Sequence, residues 1–291
     1  RAAADLENLP LYIDDTAGLS IAALRTRAVT WLRRAAELAA ARYDVKEALA
    51  LLARALELET DDQARIELHR HIAHVHTLHY DTESFRSAME DALALGPDAA
   101  TSAEIYSELA YYGIGRPYVW RQQPPRELAE RWLANALELS EPGTKARGYA
   151  TLTVALSDPE QRDEAAEETL AVGNTLGDPR LVASAFEAKA MAATAAREFD
   201  EACDHADRSV EASVELADPG YRGFFHWNAG FIYLRAGRIG EVRRFVDMYD
   251  RVARSLNPHE EVHALALRAL LESVLGRWHV LAELAQEADA A

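Results

Sequence analysis

The chain has 291 residues, 49% of them apolar and 27% charged, enough material for one large domain or two ordinary ones with a solvated surface. Lysine and arginine total 31 against 48 aspartates and glutamates, a formal net charge of −17 that disfavours nucleic acid or an anionic membrane as a general partner. The only cysteine, Cys203, excludes an internal disulfide and fits a reducing, cytoplasmic setting, and no apolar run reaches the length of a membrane span.

The chain starts at Arg1 rather than at a methionine or a signal peptide, which reads as a fragment of something longer. Residues 1–19, with "LENLPLYIDD", read as a linker or docking segment, and Ser20 stands near the start of a long helix. From there to residue 291 nearly every segment carries apolar residues at helical spacing. "AVTWLRRAAELAAARYDVKEALALLARALEL" (28–58) predicts two amphipathic helices joined by a turn around Tyr43 and Asp44. Prolines 97, 142, 179, 219 and 258 follow at intervals of 45, 37, 40 and 39 residues, the period of a helix-pair repeat. The turns share one design. In "LGDPRL" Gly177 suits a left-handed helix end, Asp178 caps the next helix and Pro179 fits its first turn. "LADPGY" repeats the device at Asp218 and Pro219, and "LNPHEE" uses Asn257 as cap with Glu260 as its capping-box partner.

Small residues recur where paired helices cross: Ala36, Ala48 and Ala55, then Ala110, Ala129 and Ala136, then Ala190, Ala202 and Ser209. In "HWNAGFIYLRAGRIGEV" Gly230 is followed by Tyr233 and the turn residue Gly237. These positions resemble the tetratricopeptide repeat, with Phe85, Val242 and Lys189 as departures from its pattern. The resemblance implies an all-α, right-handed superhelical solenoid of about seven antiparallel helix pairs over residues 20–291. Over residues 25–291 the longer period also resembles the helical region that follows the ATPase module in bacterial class III adenylate and guanylate cyclases and in large ATPase transcriptional regulators. No cyclase aspartates, phosphate loop or DNA-reading helix can be matched, so those activities do not carry over. "LPLYIDDTAGLSIAALRTRA" resembles a segment of hexameric replicative helicases, but the "GxxxxGK[ST]" loop is missing.

Five of ten histidines fall in "HRHIAHVHTLHY" (69–80). On a helix His69, His76 and His79 lie toward one side and His71 and His74 toward the other. No pair has the i, i+4 spacing of helical zinc motifs, so packing histidines are expected, ahead of pH sensing, and no metal. Cys203 and His205 are two apart and diverge, which leaves no nucleophile–base pair, and no catalytic residue or cofactor is expected. The segment "GIGRPYVWRQQPP" (113–125) is longer than the other turns, and Arg116, Tyr118, Trp120 and Arg121 form a candidate interaction loop or a cover for the adjacent repeat.

Carrying the tetratricopeptide geometry along the chain points Arg33, Arg70, His74, Tyr111 and Arg147 into a concave groove, followed by Met191, Trp227 and Phe231. That groove would be basic at one end and aromatic at the other, suited to a ligand with acidic and apolar parts, unless the arginines neutralise neighbouring acids. The reading is a non-catalytic sensor or protein-interaction region of a cytoplasmic signalling protein. Its partner would be a peptide, a protein segment or a small effector, not nucleic acid or membrane. The alternatives are a structural scaffold or homo-oligomerisation domain and a nucleotide-dependent helicase-like fragment.

Overall fold

The structure is a computed structural model and describes residues 20–116, 123–253, 256 and 258–290. Among these residues there are fourteen α-helices and no strand. The helices form seven successive pairs, and the chain divides into two compact units after Asp98. The 1–19 segment and Asn257 lie outside the described residues.

Unit 1 contains α1 (Ile21–Ala40), α2 (Val45–Leu58), α3 (Asp62–Thr77) and α4 (Thr82–Ala94), each packed on the next. Every helix start is capped by a side chain. Ser20 accepts from the Ala23 N–H, and Asp44, Asp61 and Asp81 accept from Glu47, Ala64 and Ser84. Each satisfies one of the four backbone donors that a helix start leaves open. The turns after α1 and α3 are built alike. Tyr43 and Tyr80 adopt left-handed φ of 58° and 61°. The N–H groups of Asp44 and Asp81 reach back five residues to the carbonyls of Ala39 and His76, at 2.9 and 3.0 Å. That closure offsets the steric cost of a left-handed tyrosine.

Unit 2 contains α5 (Ala99–Ala110), a π-helical turn (Tyr111–Gly115), α6 (Arg126–Leu139), α7 (Lys145–Ser157), α8 (Arg162–Leu176), α9 (Pro179–Ala196) and α10 (Phe199–Ser213). It continues with α11 (Pro219–Arg235), α12 (Ile239–Ala253), α13 (Pro258–Val274) and α14 (Trp278–Ala290). The proline turns behave as their chemistry dictates. Gly177 has φ 63°, Asp178 accepts from Arg180 and Leu181, and Asp218 accepts from Gly220. Besides pairing with its own partner, the first helix of each pair packs on the first of the next, so α5, α7, α9, α11 and α13 form a continuous row.

The crossings are filled by the small residues that the sequence singles out. Ala36, Ala48, Ala55, Ala110, Ala129, Ala136, Ala190, Ala202, Ser209 and Gly230 are all buried. Phe85 and Val242 are fully buried too, so larger side chains fill those crossings. Lys189 meets the Glu167 carboxylate of α8. Cys203 is 1% exposed, packed among side chains of α9, α11 and α12, and burial pushes its thiol pKa up. Ala36→Leu and Ala110→Leu are each expected to cost about 1–3 kcal/mol through overpacking. Glu211→Gln, on an exposed helical position, should stay within about 0.5 kcal/mol. Urea unfolding midpoints check both.

Candidate functional site

The row of first helices in unit 2 borders a cavity of about 1290 Å³. Its apolar wall comes from Leu133 and Leu137 of α6, Val154 of α7, Met191 of α9, and Phe224 and Trp227 of α11. The π-turn supplies the other side. Gly113 lets the turn lie close against α6: a Cβ would stand 3.3 Å from the Trp132 ring and 3.4 Å from Ala129. The turn closes with the Arg116 N–H on the Tyr111 carbonyl at 2.8 Å, which brings the Arg116 side chain into the cavity lining.

There Arg116 meets Glu187 from α9. The two are 6% and 2% exposed and join side by side, with Nη1 donating to Oε1 at 2.6 Å and Nη2 donating to Oε2. Asn228 of α11 donates to the same Oε1 at 2.7 Å, and Arg116 Nε donates to the Tyr111 hydroxyl at 3.0 Å. The guanidinium also lies 4.4 Å from the Phe224 ring centre. A buried ion pair persists when its remaining donors and acceptors are met, and this one is bonded on both sides. At the rim Arg126 and Glu130 form a second pair at 2.7 Å. The arginines of the cavity therefore already hold acids.

A second cationic node occupies the same row of helices. Arg180 Cζ stands 3.9 Å from the Tyr221 ring centre and within 5.5 Å of those of Tyr111 and Tyr149, and its Nη2 donates to the hydroxyls of Tyr112 and Tyr221. The Tyr112 and Tyr221 hydroxyls share a hydrogen bond of 2.8 Å. Among the described residues no carboxylate pairs with Arg180, so aromatic faces and hydroxyl oxygens carry its charge. Burial pushes the pKa of both Tyr149 and Tyr221 well up, which keeps these hydroxyls protonated around the cation.

The groove residues expected from the sequence scatter. Met191 and Trp227 line the cavity, and Phe231 stacks on Trp227 with ring centres 5.7 Å apart and planes 4° from parallel. Tyr111 does not face the groove: at 1% exposure it lies beneath it, edge-on to Tyr112 and Tyr149. Arg147 turns toward the second helices, donating to Glu168 of α8 at 2.8 Å and to the Leu137 carbonyl of α6. In unit 1 Arg33 is half-buried, Arg70 donates to Glu67 at 3.2 Å, and His74 is exposed. Arg116, expected in an interaction loop, is locked inside unit 2, while Tyr118, Trp120 and Arg121 lie outside the described residues. Glu187 and Asn228 were not expected at the site. Their signal is faint: an acid set among small residues in "ASAFEAKA", and an amide beside Trp227.

In the histidine run His69, His71 and His76 are half-buried, and burial lowers the pKa of each. Asp91 and Asp81 oppose the shift at His69 and His76, while Arg33 adds to it at His71. An unfolded histidine titrates near pH 6.5, so between there and the depressed folded values the unfolded chain binds protons that the folded chain refuses. Stability of unit 1 is therefore full above about pH 7 and falls as pH drops through 6. Urea midpoints measured from pH 7.5 to 5 should decline, and less steeply in a His71→Gln variant.

No protein-family model matches the chain, and no curated protein matches it in sequence. Among solved structures it is similar to a Rap protein complexed with competence and sporulation factor, with a TM-score of 0.62 and 14% identity, covering 89% of this chain and 75% of that one. It is also similar to a signal transduction ATPase with numerous domains from Pyrococcus horikoshii that carries a tetratricopeptide repeat sensor. There the TM-score is 0.53 and the identity 15%, over 89% of this chain and 41% of the other, so the chain spans less than half of that larger protein. At such identities the likeness speaks for the fold alone. The chain is an all-helical protein with a tetratricopeptide-like fold.

Proposed function

We propose that unit 2 is a recognition module whose cavity takes up a peptide or a segment of another protein, anchored by apolar side chains. The carrying observation is the cavity itself: about 1290 Å³, walled by leucine, valine, methionine and aromatic side chains along a row of first helices. Pockets for small molecules run to roughly 300–1,000 Å³, so the size favours a peptide over a small effector. Arg116 and Arg126 are paired with Glu187 and Glu130, so recognition rests on apolar anchors more than on acidic ones. This narrows the acidic-and-apolar ligand suggested by the sequence. The role is non-catalytic, with the charged groups of the lining largely saturating one another.

In the wider reading the module is the sensor of a cytoplasmic signalling protein, and ligand capture biases a linked cyclase or ATPase module. Two likenesses support this: the complex of the Rap protein with its factor, and the tetratricopeptide sensor attached to an ATPase. Among the described residues no helix is long and apolar enough to cross a membrane.

The test is a displayed-peptide selection against the chain, with affinities measured by calorimetry. Trp227→Ala is expected to weaken a selected peptide at least about tenfold, as loss of an aromatic anchor does. Glu211→Gln, at an exposed position of α10 outside the cavity lining, should leave it unchanged. A peptide that binds the Trp227→Ala variant as tightly as the parent refutes the cavity as its site. Failure to select any binder favours a scaffold or self-association role.

A further inference from the structure

The geometry points to a zinc-class divalent metal site in the turn between α3 and α4, formed by His76, His79 and Asp81. One ligand atom from each of the three lies within 4.8 Å of the other two. His76 ends the α3 face, His79 sits in the turn, and Asp81 is the capping residue of α4, so the turn gathers what the helix alone disperses. His76 Nδ1 and Asp81 Oδ2 are 3.3 Å apart. Two ligands bound to one tetrahedral zinc at about 2.0–2.2 Å stand about 3.3–3.5 Å apart. That edge is already at metal spacing, and the exposed His79 ring, stacked on His76 with centres 5.8 Å apart, would close the remainder by turning about its side-chain bonds.

Three further observations bear on it. His76 Nδ1 is buried and faces the Asp81 carboxylate. The other Asp81 oxygen accepts from the Ser84 N–H at 3.1 Å, which fixes the carboxylate from behind as outer-shell bonds do in metal centres. The sister turn between α1 and α2 has the same backbone, with left-handed Tyr43 and capping Asp44. It carries Ala39 and Arg42 where this one carries His76 and His79. The turn needs neither histidine to form. With three protein ligands, water would complete a tetrahedron, as in open zinc sites.

The experiment titrates Zn²⁺ into the tag-free chain by calorimetry and records the visible spectrum with Co²⁺. The expected result is one ion per chain and a tetrahedral cobalt spectrum. His79→Ala and Asp81→Asn should each weaken Zn²⁺ at least tenfold and abolish that spectrum. Asparagine caps a helix as well as aspartate, and His79 is exposed, so metal-free melting should stay close to that of the parent. His74→Ala, on the same helix but outside the trio, should keep the parent affinity. The site is refuted if the parent takes up no Zn²⁺, if either trio variant binds as the parent does, or if His74→Ala weakens binding as much as His79→Ala.

Discussion

Glu187→Ala is expected to lower the stability of unit 2 by about 3–5 kcal/mol, the cost of removing one member of a buried ion pair. Arg116 would keep its Tyr111 contact but lose the carboxylate that neutralises it, and Asn228 would lose its acceptor. Desolvation makes the remaining charge the problem, not the lost contact. The double change Arg116→Met with Glu187→Leu removes both charges at once and should cost far less, or nothing. The coupling between the two sites, read from denaturant midpoints of the four proteins, should therefore be large and favourable to the pair. Additive effects would show that water reaches the guanidinium. Because the pair lies in the cavity lining, the double variant also separates stability from recognition: if apolar anchors dominate, it still binds the selected peptide.

Tyr249→Ala should cost about as much, about 3–5 kcal/mol, by emptying a fully buried aromatic site. The site is shaped by a glycine. A Cβ on Gly223 of α11 would stand 2.6 Å from Cε2 and 2.8 Å from Cδ2 of the Tyr249 ring, and that ring is held because its hydroxyl donates to Glu260 of α13. Inside a helix alanine normally beats glycine by about 0.8–1.0 kcal/mol. Here the sign reverses, and Gly223→Ala alone should destabilise by about 1–3 kcal/mol through overpacking. In the Tyr249→Ala background the same change should become neutral or stabilising. Equal effects in both backgrounds would place the ring elsewhere.

The caps, left-handed turns and small crossing residues were legible because each is decided within a few residues of chain. Asp178, Gly177, Asp218 and Ser20 do what their local chemistry dictates. The site was legible only where it continues a regular helix, at Met191 and Trp227. Elsewhere the 3.6-residue period was carried past the point where it holds. At Tyr111 the helix widens into a π-turn, which re-aims that ring downward and brings Arg116 inward. The Arg116–Glu187 pair joins residues 71 apart, a register that no local pattern records. Arg147 answers to Glu168 on a neighbouring helix, the neutralisation that the sequence left open. His79 and Asp81 lie beyond the end of α3, where angles counted around a helix no longer apply.

The buried Cys203 makes the protein its own timer. A thiol at 1% exposure with a raised pKa does not react from the folded state, so a disulfide reagent modifies it only during excursions that lift α10 away from its neighbours. With a single cysteine in the chain, each modification event reports one place and one opening. The labelling rate under native conditions, divided by the rate of a free thiol, gives the free energy of that opening without any engineered probe. Because Trp227 of the cavity wall packs against the same core cluster as Cys203, a peptide held there becomes readable as a slower clock.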